Sequence, residues 1–212
     1  HNQARIPSIA GRIIPERVFT EEDYRRRIFA QIEAEIRPHD PDEVLESVFL
    51  NSRGAIARFD RNAIEIRLID IQEAPVADLA VLELVVAVVR MLTEGSTIPL
   101  QLQQQWPEDL LADILLDVIR EGDRAQIRDA DYLAAFGYPG RRATAAQLCR
   151  YLAEKLAASF SETATGALRH VLANGPLSRR LLGHLGTSPD PARVTSVYSG
   201  LGRCLIENRQ LP

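Results

Sequence analysis

The chain has 212 residues, 46% of them hydrophobic and 25% charged, with a formal net charge of −4 and a pI near 5.6. That is enough material for a buried core in one or two domains, while the acidic balance argues against a general binder of nucleic acid or membrane surfaces. Cys149 and Cys204 stand alone, without metal-ligand or redox spacing, so two reduced thiols in a cytoplasmic protein are expected.

The start, His1 to Pro7, has no apolar run of the secretory kind and no initiator Met, and it reads as a piece of something longer. From Asn2 to Val18 the breakers Pro7, Gly11 and Pro15 predict a loop, held down because Ile6, Ile9, Ile13 and Ile14 need burial. Thr20 then caps a helix, with Asp23 as the acid of its first turn, and the helix runs to about Ile36 before Pro38. Asp40 to Glu43 begins a short helical turn.

A hairpin follows. Ala55 to Asp60 and Ala63 to Ile71 are β-type runs, and Arg61-Asn62 between them suits a two-residue turn in which Asn takes positive φ. This turn pairs Phe59 with Ile64, Arg58 with Glu65, Ala57 with Ile66 and Ala55 with Leu68. Alternation then puts Ala55, Ala57, Phe59, Ile64, Ile66 and Leu68 on an apolar core face, and Arg58, Asp60, Glu65 and Arg67 on the other. The plain reading of the second face is a solvated surface with an ordinary cross-strand pair. Arg53 and Arg5, added to Arg58 and Arg67, make a guanidinium set better suited to anionic oxygens.

Beyond the hairpin, Ala77 to Thr93 predicts a long apolar helix stopped by Glu94-Gly95. Asp78, Glu83 and Arg90 interrupt it, which suits a buried helix rather than a membrane span. After Pro107 the pattern gives helices and no strand: Glu108 to Glu121, Ala143 to Ser159, Ser161 to Ala173, Leu177 to Leu185 and Pro191 to Asn208. His1, His39, His170 and His184 show no ligand spacing and read as structural or exposed. There is no phosphate-binding glycine loop and no nucleophile elbow, so a nucleotide would have to be held on a sheet surface.

The words Asn2-Gln3-Ala4-Arg5-Ile6-Pro7-Ser8-Ile9-Ala10-Gly11 and Arg53-Gly54-Ala55-Ile56-Ala57-Arg58-Phe59-Asp60-Arg61-Asn62-Ala63-Ile64-Glu65-Ile66-Arg67, continued by Asp70-Ile71-Gln72-Glu73, resemble the C-terminal half of the glutamate-cysteine ligase type 2, or carboxylate-amine ligase, family. The resemblance covers Asn2 to about Leu92. It implies an α+β fold: an antiparallel sheet fragment of a glutamine-synthetase-like catalytic domain over 1–100, then a helical C-terminal region over 101–212. It also implies ATP with Mg²⁺, and phosphorylation of a carboxylate followed by attack of an amine, most simply glutamate and cysteine.

Carried onto matching positions, the resemblance makes Glu65 a magnesium ligand and Arg67 a contact to substrate carboxylate or transferring phosphate. Arg53 and Arg58 become nucleotide-phosphate contacts, Arg58 sharing the catalytic role, while Asn2 and Arg5 sit on a loop over the same face. The family's glutamate-rich opening strand is absent from this chain, so the chain resembles half an active site that pairs with the other half or forms a homo-oligomer. The competing expectation is a non-catalytic interaction module that keeps the hairpin and uses its helices for protein contacts.

Overall fold

The computed structural model describes residues 5–212; Asn2 lies outside the described residues. The fold is α+β, mostly helical with two small antiparallel sheets of two strands each. The chain divides into two compact units, one formed by residues up to Asp70 with Gln104–Leu115, the other by Ile71–Gln103 with Leu116–Pro212. The division falls after Asp70, so the apolar helix Pro75–Thr93 belongs with the C-terminal helices and not with the hairpin.

In the first unit a continuous helix over 21–36 forms the core. It is α-helical at Glu21–Tyr24, π-helical at Arg25–Phe29 and α-helical again at Ala30–Ile36. Thr20 caps it by accepting a hydrogen bond from the Asp23 N–H at 3.1 Å, satisfying one of the orphan donors of the first turn. Tyr24, Ile28, Phe29, Ile32 and Ile36 line its buried stripe and pack with Ile9, and Ala57 and Phe59 of the hairpin lie against this cluster. The expected N-terminal loop contains a short helix, Pro7–Ala10, and is tied down as anticipated: Ile9 is buried, and the Ile9 and Ile13 carbonyls accept from Ser52 N at 2.8 Å and Gly54 N at 2.7 Å.

Strands β1 (Ala55–Arg58) and β2 (Ala63–Ile66) form the expected hairpin in a different register. Ala55 pairs Ile66, Ile56 pairs Glu65, Ala57 pairs Ile64 and Arg58 pairs Ala63. A four-residue connection replaces the two-residue turn, because Phe59–Arg61 coils into a 3₁₀ turn and only Asn62 takes the left-handed conformation, at φ 48°. A shift of two residues preserves the side of every strand residue, so Arg58 and Glu65 still share a face. The burial follows the expectation only in part: Ala57 and Phe59 pack against the core cluster, but Ile56 and Arg58 on the other face are buried, while Ile64 and Ile66 are exposed.

In the second unit, Pro75–Thr93 packs against helix Glu162–Asn174 through Ala80, Ala164, Ala167 and Leu168, with Val76, Leu84 and Phe160 around them. Glu83 receives both the N–H and the hydroxyl of Ser161 at 2.8 Å, which accounts for one charge in the apolar run. Leu177–Leu185 forms as expected, as does Glu108–Glu121, which is divided between the two units after Leu115; Pro191–Glu207 ends one residue early, and Ala145–Lys155 begins two residues late and ends four short of the expected Ser159, where Ala157–Ser159 is a 3₁₀ turn. The expectation of no strand after Pro107 is corrected by β3 (Gln126–Ile127) and β4 (Ala143–Thr144), an antiparallel pair too short to show alternation in the sequence. Helix Ala130–Ala135, capped by Asp129, was likewise not anticipated. No helix among the described residues is long and apolar enough to cross a membrane.

Candidate functional site

Arg58, at the end of β1, is the centre of the charged face. Its Nε and Nη2 donate to the two carboxylate oxygens of Asp60 at 3.1 and 3.0 Å, and its Nη1 donates to Glu65 Oε2 at 2.9 Å. The Phe49 ring lies 5.9 Å from its guanidinium carbon. Glu65 Oε1 accepts from Arg67 Nε at 2.8 Å, and Arg67 Nη1 donates to the Asn51 carbonyl. Arg61 adds a looser contact to Asp60 at 3.4 Å. Three guanidiniums and two carboxylates thus form one network; the hairpin phase predicted Arg58, Asp60, Glu65 and Arg67 on one face, and Arg61 of the connection joins them.

The network sets the charge states. Hydrogen bonds from Arg67 first and Arg58 second hold the Glu65 carboxyl below the usual carboxylate range, and Arg58 does the same for Asp60. In return, Asp60 and then Glu65 push the Arg58 guanidinium up. These shifts favour the charged forms of Glu65, Asp60 and Arg58.

Arg53 has a different employment from the phosphate contact that the resemblance implies. Its side chain is 1% exposed and lies under the N-terminal segment, not on the charged face. Nε and Nη2 donate to both Glu16 oxygens, and Nη1 to the Ser8 carbonyl at 2.9 Å, the Ile9 carbonyl at 3.4 Å and Asn51 Oδ1 at 3.0 Å. Burial pushes the Glu16 carboxyl up, but the Arg53 hydrogen bond and charge outweigh it and the net direction is down. Gly11 makes room: its φ is +52° and a Cβ there would approach Arg53 Nη2 to 3.1 Å.

Asn51 joins the two arginines. Its side chain, fully buried, accepts from Arg53 and donates to the Tyr24 hydroxyl at 2.9 Å, while its carbonyl receives Arg67. Nothing in the sequence pattern singles Asn51 out. Glu16 gave no local signal, because it meets Arg53 across 37 residues.

The donors left for an incoming anion are on Arg67 and Arg61. Arg67 is 28% exposed, and its Nη2 is unengaged among the described residues; Arg61 is 67% exposed and touches only Asp60 among them. Arg58, by contrast, is 8% exposed with all three nitrogens engaged, so it positions Glu65 and thereby Arg67. Arg5 is exposed in the N-terminal segment. The donor set does not fit a magnesium ion on its own: both Glu65 oxygens are held by guanidiniums, and no group of three or more His, Cys, Asp or Glu able to hold a metal occurs among the described residues. His170 and His184 face the carbonyls of Leu211 and Pro212 at 2.8 and 3.1 Å, as structural residues.

A second buried ion pair lies in the other unit. Glu73 Oε1 accepts from Arg180 Nη1 at 2.6 Å and from the Leu211 N–H at 3.0 Å, and Arg180 Nη1 also donates to the Leu211 carbonyl at 2.6 Å. Burial pushes the Glu73 carboxyl up and the Arg180 hydrogen bond pulls it down, with a net lowering. The pair clamps the segment around Leu211.

No family model matches the chain, and no solved structure matches it. It is similar to an uncharacterized protein of Archaeoglobus fulgidus, with 33% identity over 121 residues. The matched stretch is 57% of this chain and 30% of that relative.

Proposed function

We propose that this chain contributes the arginine-bearing hairpin of an ATP-dependent carboxylate-amine ligase. The observation that carries the reading is the Asp60–Arg58–Glu65–Arg67 network, which fixes one partly exposed guanidinium, Arg67, in a single orientation. A planar, pre-oriented guanidinium suits the oxygens of a phosphoryl group or a carboxylate. The resemblance in the Arg53 to Arg67 words supplies the reaction class.

In this reading a substrate carboxylate oxygen, glutamate's in the simplest case, attacks the γ-phosphorus of ATP and ADP leaves. The amine of cysteine or another acceptor then attacks the acyl carbon, and phosphate leaves with one oxygen from the carboxylate. Arg67 would hold the negative oxygens as charge moves onto them, where positioning and electrostatics carry phosphoryl transfer. Glu65 and Arg58 would keep it in place. Because the described residues do not make a magnesium shell, metal-binding carboxylates would come from protein outside this stretch, in keeping with a relative far longer than the matched segment.

The test is ADP release by the native protein supplied with ATP, Mg²⁺, glutamate and a panel of amines, beside an Arg67→Ala variant. Release that needs both carboxylate and amine and is lost in the variant supports the reading. No release with any pair sinks it. A non-catalytic interaction module is the second reading, favoured by the internal saturation of Arg53 and Arg58; it predicts no nucleotide turnover.

A further inference from the structure

A groove opens in the second unit between helix Ala145–Lys155 and helix Glu162–Asn174, with a cavity volume of about 430 Å³, within the range of pockets that take small ligands. Its floor is apolar. Ala153, 8% exposed, comes from the first helix and Leu168, 4% exposed, from the second, while Ala157 and Leu172 add to the walls. Phe160, in the connection between the helices, lines the cavity too and is held by packing against the cluster of Ala80, Ala164, Ala167 and Leu168. Such a surface favours an apolar body over water.

The charged residues lining the cavity are Arg150, Glu154 and Arg169, all of them exposed and so at its rim. Arg150 is oriented there by the fold. Its Nη2 donates at 3.0 Å to the Leu172 carbonyl, one of the four that the last turn of helix Glu162–Asn174 leaves without an intrahelical partner. Its other two nitrogens have no partner among the described residues, and Arg169, three residues before Leu172 on the same helix, has none for its whole guanidinium. Glu154, one turn after Arg150, makes no ion pair with it among these residues. Two guanidiniums with open donors therefore stand beside an apolar floor, against one carboxylate. A planar guanidinium takes both oxygens of a carboxylate, and the floor takes whatever apolar chain that carboxylate carries.

We propose that this groove binds a small alkyl carboxylate, its chain over Ala153 and Leu168 and its head on Arg150 and Arg169. A neutral amphiphile of the same length gains only the floor, and a cationic one also meets two guanidiniums. The inference concerns the second unit and is independent of the ligase reading of the hairpin.

Octanoate is the probe, titrated into the ¹⁵N-labelled chain and followed by amide shifts, beside octanol and octylammonium. Saturable shifts are expected at Ala153, Ala157, Leu168 and Leu172, with octanoate about tenfold tighter than octanol, the worth of one charge-assisted contact, and octylammonium weaker than octanol. Arg169→Gln is expected to weaken octanoate about tenfold and to leave octanol unchanged. Ala157→Phe, on the exposed wall, is expected to remove the binding of both by filling the groove. No saturable shift at these amides, octanol or octylammonium as tight as octanoate, or an octanoate affinity indifferent to both variants overturns the proposal. So does a concentration dependence of the same amides without any probe, which would make a second copy of the chain the occupant. If Ala157→Phe fails to fold, Arg169→Gln and the comparison of the three head groups decide the matter alone, because Arg169 is exposed and holds nothing else in place.

Discussion

Replacing Arg53 by Met removes a guanidinium that is almost wholly enclosed and that binds Glu16, two backbone carbonyls and Asn51. Methionine fills much of the volume but leaves Glu16 without its partner. Breaking a buried pair from one side typically costs about 3–5 kcal/mol. Glu16 is itself 26% exposed and can regain some water, which places this case near the lower end, about 3 kcal/mol. With a urea m-value of roughly 1.5–2 kcal/mol/M for a unit of this size, the midpoint falls by roughly 1.5–2 M. Urea unfolding followed by circular dichroism reads this directly. The double variant Arg53→Met/Glu16→Leu is expected to lose less than the sum of the two single changes, because no carboxylate is then left stranded. A single variant within about 0.5 kcal/mol of the parent that nevertheless loses nucleotide affinity would refute the reasoning and return Arg53 to the ligand.

Three further outcomes follow from the same contacts. Glu73→Gln removes the charge facing Arg180 in a fully enclosed site and is expected to cost roughly 3 kcal/mol in the second unit, whereas a loss below about 1 kcal/mol by calorimetry would show that the pair contributes little. The carboxyls of Glu16, Asp60, Glu65 and Glu73 all lie lower in the folded state than their usual values, so the unfolded chain binds more protons in acid; the stability they contribute is complete above about pH 5 and declines as pH falls through the folded values, and a urea midpoint that rose on acidification below pH 4.5 would contradict the assignment. If the ligase reading holds, Glu65→Gln is expected to reduce ATP turnover of the native protein by disordering Arg67 while leaving the Mg²⁺ concentration for half-maximal rate unchanged, and a tenfold rise in that concentration would make Glu65 a metal ligand after all.

Much of this molecule was legible because its signals are local. Thr20 followed by Asp23, the Gly and Pro punctuation of the C-terminal half, and the Leu and Ala stripes each act over three or four residues, and the corresponding helices formed within a few residues of their expected bounds. The hairpin was half legible. Period-two alternation fixed which side chains share a face, so Arg58, Glu65 and Arg67 met as anticipated. The turn type, and with it the register, depended on whether Phe59 would stay in the strand or coil over the Tyr24 ring, and nothing near Phe59 in the sequence states that. The helix over 21–36 takes up Ala57 and Phe59 as the alternation expects, whereas the burial of Ile56 and Arg58 and the exposure of Ile64 and Ile66 depend on what the fold brings against each strand, which the alternation does not state. Arg53 was misjudged because its partner, Glu16, and the carbonyls of Ser8 and Ile9 reach it only through the fold.

The reading of the hairpin as part of a carboxylate-amine ligase is tested most directly by following carboxylate oxygen. Glutamate labelled with ¹⁸O in its side-chain carboxylate is supplied to the native protein with ATP, Mg²⁺ and cysteine, and the released phosphate is analysed by mass spectrometry. An acyl-phosphate route predicts one labelled oxygen in each phosphate, and loss of the labelled product when Arg67 is changed to Lys, whose ammonium cannot reproduce a bidentate contact. Unlabelled phosphate, or label transfer unchanged by Arg67→Lys, would contradict it.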